Sequence, residues 1–288
     1  MQNIYFVDLV FRCKREITSL PQFHGARFDA YLRFSCKKVR LEFKELATAI
    51  LPFRHGTQKI KVGDICSLRL CLTDLGVEKL PLLCNGLNNT QGDGEFDSSS
   101  FELVDVVSPV LKRSIAPDLF TGLKLEPFSY DLVEDEAVAL SKLDNFTFRL
   151  VSPLRLNLPQ GIKPVDGNGL EILCKEDFFY SCSFALQHIV NSLRNLDEIS
   201  VTMADLNNFP QTYDGEMEWV DLKYNHEKQK PYSGIYGFAK YQGKLPSLTV
   251  CRQLVAGQYV GLGKMQRFGL GFYKIDELDE IRCMDMPN

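Results

Sequence analysis

The 288 residues are 45% hydrophobic, 24% charged and 11% aromatic, with a net charge of −4. These near-average proportions exclude a disordered, collagen-like or simple coiled-coil chain, and a single core stops growing near roughly 250–300 residues, so two domains are expected. No apolar run approaches the ~20 residues of a membrane-spanning helix.

The expected elements begin with an alternating, β-rich strand over Ile4–Cys13. The acid within residues 1–9 is unlike the basic opening of a signal peptide, so the chain is expected to stay in the cytoplasm. Pro21 precedes a helix from about His24 to Ser35 with Phe28, Tyr31 and Leu32 as its apolar positions. Strands are expected over Leu41–Leu46 and Ile65–Leu72, the second introduced by the turn Val62-Gly63-Asp64. A weak helix over Val77–Leu87 leads through a polar loop, Asn88–Ser100, to a strand over Phe101–Val107. Residues 108–143 carry three prolines and the acidic run Glu134-Asp135-Glu136, and read as a connection with one short helix.

The pattern then repeats. A strand over Asn145–Ser152 is followed by a helix capped by Asp177 and running to about Leu196, with an apolar stripe of Cys182, Leu186, Ile189 and Leu193. Strands over Glu218–Lys223 and Ile235–Tyr241, a helix over Leu245–Ala256 and a strand over Gly271–Ile275 complete it. The reading is α+β, two tandem ferredoxin-like β-α-β-β-α-β domains at 1–110 and 144–288, joined by 111–143.

Charge is distributed unevenly. Residues 223–274 hold nine Lys/Arg against one acid, with nine Tyr/Phe among them, leaving −12 for the rest of the chain. Residues 1–44 hold nine Lys/Arg against four acids. Cations interleaved with aromatics suit phosphate attraction and base stacking, as in single-stranded RNA binding, whereas one basic stretch alone is ordinarily a solvated surface. The acids at 131–136 and 276–280 read as solvated faces without metal-ligand spacing, and no metal or other cofactor is expected. The nine cysteines show no CxxC spacing and read as buried hydrophobes in a reducing compartment.

The most informative motif is Gly257-Gln-Tyr-Val-Gly261-Leu-Gly263-Lys264-Met-Gln-Arg267-Phe-Gly269-Leu-Gly271, five glycines in fifteen residues between a helix and a strand. Exposed N–H groups of such a loop form anion-binding concavities, to which Lys264 and Arg267 add charge. No Gly-Lys-Ser/Thr follows, so it is not a phosphate loop of the Walker type, and its place before the final strand does not fit a dinucleotide fingerprint. A purely structural glycine bend is the alternative.

This loop, together with Tyr224-Asn-His-Glu-Lys-Gln-Lys230 and Tyr232-Ser-Gly234-Ile-Tyr-Gly237 before it, resembles the C-terminal half of the sixth CRISPR-associated family, the repeat-cleaving endoribonucleases of the RAMP superfamily. Leu150-Val-Ser-Pro153-Leu-Arg-Leu156, Gln22-Phe-His-Gly25-Ala-Arg27-Phe28 and residues 60–70 resemble other segments of it, so nearly the whole chain is covered. The resemblance implies two ferredoxin-like domains, a cleft for CRISPR repeat RNA and metal-independent cleavage by 2′-hydroxyl attack, giving a 2′,3′-cyclic phosphate and a 5′-hydroxyl. Histidine titrates near neutrality and suits both proton transfers. His24, at the start of the first helix, is the expected catalytic group, with Tyr31 and Lys37 as transition-state partners and His55 as runner-up; a capping role is the plain alternative for His24. His188 reads as structural and His226 as an RNA contact. Arg27, Lys228, Lys230, Gly261, Gly263, Lys264, Arg267 and Gly269 are the expected RNA-binding residues, and Tyr232, Tyr236 and Phe268 candidate stacking groups. Expected partners are repeat RNA or crRNA and CRISPR effector or adaptation proteins, with no membrane. Two other readings stay open: a non-catalytic RAMP subunit holding crRNA in an effector, and the nuclease domain of a longer fusion with reverse transcriptase and spacer integrase.

Overall fold

The computed structural model describes residues 4–18, 25–51, 59–90, 97–109, 113–115, 125–128, 130–155, 204–205, 208–222, 232–262 and 269–279. The chain divides into two compact units, the first built chiefly on residues up to Phe128, with 222–232 and 267–269, and the second on the rest from residue 129 onward.

The first unit is organised around β1 (Tyr5–Cys13), whose alternation places Val7, Leu9, Phe11 and Cys13 in the core. β1 runs antiparallel to β3 (Ile65–Leu72), from Tyr5↔Leu72 to Arg12↔Ile65, and to β4 (Phe101–Ser108), with a bulge between Val10 and Phe11. With β2 (Ala47–Leu51) and β5 (Arg113–Ser114) the strand order is β2-β3-β1-β4-β5.

α1 (Gly25–Lys38) follows β1 and buries Phe28, Tyr31, Leu32, Ser35 and Cys36 along one stripe. Burial of each large apolar side chain contributes about 1.5–3 kcal/mol. The expected strand at Leu41–Leu46 is instead a single helical turn, α2 (Phe43–Leu46), and the strand starts only at Ala47. Phe43 and Leu46, both buried, are three residues apart, which is helical spacing that a short window confuses with alternation. The weak helix expected over Val77–Leu87 is two, α3 (Asp74–Glu78), capped by the Thr73 hydroxyl, and α4 (Leu80–Asn89). α4 crosses α1 closely: a Cβ on Gly86 would lie 2.5 Å from the Ser35 carbonyl oxygen.

The second unit repeats the strand arrangement. β6 (Asn145–Leu150) lies antiparallel between β8 (Tyr232–Gln242) and β9 (Tyr273–Ile275), and β7 (Gln211–Leu222) flanks β8, giving β7-β8-β6-β9. Its core stacks Phe146 on Tyr241 at 4.9 Å and Phe148 on Tyr273 at 4.3 Å. α6 (Leu248–Val260), capped by the Ser247 hydroxyl, covers the sheet, and the Tyr273 hydroxyl donates to the Leu254 carbonyl. The acidic run opens α5 (Glu134–Ser141), a short helix within 108–143 as expected there. Three acids in a first turn complement the positive end of the helix dipole. The helix expected over 177–196 lies outside the described residues.

Candidate functional site

In the first unit the candidate residues lie on α1. Tyr31 is 2% exposed and its hydroxyl donates to the Leu87 carbonyl oxygen at 2.7 Å. Burial, then the nearby Asp97 carboxylate, pushes its pKa up. Tyr31 is thus a protonated core residue bracing α1 on α4, and the expectation of a phenol beside the reacting phosphate is corrected. Lys37 is exposed, with its Nζ 5.9 Å from the centroid of the Phe34 ring. It sits twelve residues beyond Gly25, about 18 Å of helical rise from the start of α1. Arg27, half-buried in the first turn of α1, stays beside that end. His24, His55, His188 and His226 lie outside the described residues.

In the second unit the structure brings the quoted motifs together at the stem of the glycine loop. The Leu262 N–H donates to the Gly271 carbonyl at 2.7 Å, and the Gly271 N–H to the Pro153 carbonyl at 2.8 Å. The Phe272 N–H donates to the buried Ser152 hydroxyl at 2.9 Å, while Leu154 and Ile235 exchange N–H···O bonds of 2.7 and 2.9 Å. The stem therefore joins Leu150–Leu154, Gly234–Ile235 and both ends of the loop. Gly261, Gly269 and Gly271 take φ of 75°, 83° and 80°. At Gly271 no side chain fits, because a Cβ would stand 1.8 Å from the Leu262 carbonyl oxygen. Gly263, Lys264, Arg267 and Phe268, like Lys228 and Lys230, lie outside the described residues.

Among the described residues, the cations of the basic stretch meet acids within the fold. Arg252 makes a bidentate pair with Glu134 at 2.6 and 2.7 Å, joining α6 to α5. Its side-chain hydrogen bond holds the Glu134 carboxyl below its ordinary pKa. Lys240 pairs with Asp214 at 2.7 Å. Arg149 and Lys274 share Asp276, at 2.7 and 3.2 Å, and Lys274 also meets Asp279 at 3.0 Å. Asp276 and Asp279 are therefore ion-pair partners, and Glu277 accepts from the Thr147 N–H and hydroxyl, both at 2.8 Å, which corrects the reading of these acids as a solvated face. Tyr241, counted with the basic stretch, is fully buried, whereas Tyr236 and Phe238 are half-buried, Phe238 under the Arg149 guanidinium at 4.8 Å.

Within the basic excess of residues 1–44, an exposed aromatic side chain was not foreseen. Phe34 is 58% exposed beside Lys37, Lys38 and Arg40. The signal was readable, since Phe34 falls off the Phe28–Tyr31–Leu32 stripe. Among the described residues, no group of three His, Cys, Asp or Glu is placed to hold a metal ion, and no helix is long and apolar enough to cross a membrane.

No protein-family model and no curated protein matches the chain. Solved structures do. A chain of a Cas6-RT-Cas1--Cas2 complex aligns over 96% of this one, with a TM-score of 0.68 and 12% identity. Cas6 from Thermus thermophilus aligns over 96% of this chain and 99% of its own, with a TM-score of 0.54 and 14% identity. The chain has the Cas6 fold. A Cas6 structure described as a substrate mimic complex also aligns, over 96% of this chain, at a TM-score of 0.51 and 14% identity. Against the Cas6-RT-Cas1--Cas2 chains, this Cas6-like chain spans 46% of one and 29% of another.

Proposed function

We propose that the chain is an endoribonuclease that cuts CRISPR repeat RNA in precursor crRNA. The observation that carries this reading is the Cas6 fold over 94–96% of the chain, including Cas6 solved as substrate mimic and product complexes. The order β2-β3-β1-β4 in the first unit and β7-β8-β6-β9 in the second supports reading both as ferredoxin-like. In each, the unit's first strand lies between its third and fourth, with the second outside the third.

In the proposed reaction the 2′-hydroxyl upstream of the scissile phosphate loses its proton and attacks phosphorus. The P–O5′ bond breaks and the leaving 5′-oxygen takes a proton, leaving a 2′,3′-cyclic phosphate. No metal is required. His24, which precedes α1 in the sequence, is assigned both proton transfers, taking the 2′-hydroxyl proton and delivering it to the leaving 5′-oxygen, and the charge of Arg27 in the first turn of α1 favours the phosphorane. Lys228, Lys230, Lys264 and Arg267, with the backbone of Gly261, Gly263 and Gly269, are assigned to RNA binding.

End-labelled repeat RNA incubated with the protein in EDTA tests the activity. A discrete cut ending in a cyclic phosphate supports the reading, and a 2′-deoxy nucleotide before the cut must block it. His24→Ala is expected to abolish cutting while affinity stays within about tenfold, since the histidine acts mainly in the transition state. Stable binding without cutting by the wild-type protein turns the assignment to a non-catalytic RAMP subunit.

The lengths of the Cas6-RT-Cas1--Cas2 chains favour a second reading, in which this chain is the nuclease module of a longer protein that also carries reverse transcriptase and spacer-integrase domains. The genomic reading frame on either side of the coding segment decides it.

A further inference from the structure

The last turn of α1 presents an aromatic ring to solvent within a cluster of cations. Phe34 lies on the face opposite the buried Phe28, Tyr31, Leu32, Ser35 and Cys36, and is 58% exposed under the Lys37 ammonium. Lys38, Arg40 and Lys44 are exposed and make no ion pair among the described residues, while Arg33 is held by Asp29 at 2.6 Å. The exposed acids nearby on the chain are Glu42 and Glu45, fewer than the cations.

Arg40 adds an independent observation. The Leu41 N–H donates to the Cys36 carbonyl at 2.8 Å and the Arg40 N–H to the Lys37 carbonyl at 3.1 Å, which is the paired closure of a Schellman ending. Its left-handed position is ordinarily glycine, yet here it is filled by Arg40 at φ 58°, the one non-glycine with positive φ among the described residues. Such a backbone outlier marks a place where a side chain is retained against conformational preference. Here the retained side chain extends the cationic cluster.

We infer that this end of α1 is a contact site for single-stranded RNA, separate from the cleavage site: one base stacks on Phe34, and neighbouring phosphates meet Lys38 and Arg40. The inference rests on the reading of the chain as an RNA-cutting enzyme. It places the contact about 14–20 Å along α1 from the helix start, so the occupant is the strand that continues a few nucleotides from the cut. An exposed ring stacks on any base and cations track the backbone, so the contact is insensitive to sequence and sensitive to salt.

The test compares wild type, Phe34→Ala and Arg40→Gly for binding to repeat RNA with long single-stranded flanks and to the same repeat trimmed of them. Phe34→Ala is expected to weaken binding of the flanked RNA about 5- to 100-fold and that of the trimmed RNA little. Arg40→Gly is expected to melt at a higher temperature than wild type, yet to bind the flanked RNA less tightly with a shallower salt dependence. A purely structural Arg40 would give the first change without the second. If both variants bind the flanked RNA as wild type does while wild type still cuts, the inference is overturned, the enzyme reading stands and a protein becomes the occupant to seek. If wild type binds no RNA, both fail.

Discussion

The Tyr31 hydroxyl and the Leu87 carbonyl, 56 residues apart in sequence, form a buried 2.7 Å hydrogen bond that ties α1 to α4. Replacing Tyr31 by Phe keeps the ring and leaves a buried carbonyl oxygen without its donor, which costs about 1–3 kcal/mol. Urea unfolding of Tyr31→Phe is expected to show that loss, while repeat cleavage per folded molecule stays at the wild-type rate. A normal unfolding midpoint combined with a collapsed cleavage rate would return the phenol to the chemistry.

How far the sequence discloses this molecule depends on the range of the forces involved. β1 falls inside the expected Ile4–Cys13 because alternation is a local signal. Phe28, Tyr31 and Leu32 line the core for the same reason, at helical spacing. What alternation and spacing do not encode is the partner across the fold. Glu134, in an acidic run that reads as linker, meets Arg252 across 118 positions, and Asp276 meets Arg149 across 127. The excess of +8 over 223–274 therefore looked like an open surface although several of its cations are spent on folding. The glycine loop was the converse case, where the residue type itself announces a close approach, and the stem at Leu262 and Gly271 has one.

Gly271 gives a sharp test of that stem. Gly271→Ala must accommodate both a positive φ and a Cβ that would stand 1.8 Å from the Leu262 carbonyl oxygen. Strain of this kind costs about 1–3 kcal/mol before the contact itself is counted. The variant is expected to unfold at a distinctly lower urea concentration and, in its folded fraction, to bind repeat RNA more weakly because the loop ends separate. Wild-type stability would show that Leu262 and Gly271 are not clamped together.

Cys36, Cys66, Cys84 and Cys251 are buried and free, with thiols that burial pushes up to about 12. Alkylation requires the thiolate and access to it, and both are withheld at neutral pH. Pulse treatment of the native protein with iodoacetamide at pH 7.5, followed by peptide mass mapping, is expected to leave these four unmodified until urea is added. Rapid labelling of Cys251 in the native state would place α6 away from the sheet it covers.

Acid should weaken the second unit first where Asp276 sits. Burial alone would raise this carboxyl, but the hydrogen bonds from Arg149 and Lys274 outweigh it and hold its pKa below the ordinary 3.8. The unfolded chain therefore takes up this proton at a higher pH than the folded one. The resulting stabilisation is complete above the unfolded value and is lost as pH falls through the folded value, from about pH 4 downward. Asp214 and Glu134, also lowered, act in the same direction. Asp276→Asn keeps the shape and removes the titration, leaving Arg149 without its charged partner. Its urea midpoint is expected to lie below wild type at pH 7 and to converge on it as the pH falls below the ordinary carboxylate range. Parallel curves across that range would mean that Asp276 titrates alike in the folded and unfolded states, and that its pairing with Arg149 and Lys274 contributes nothing to the fold.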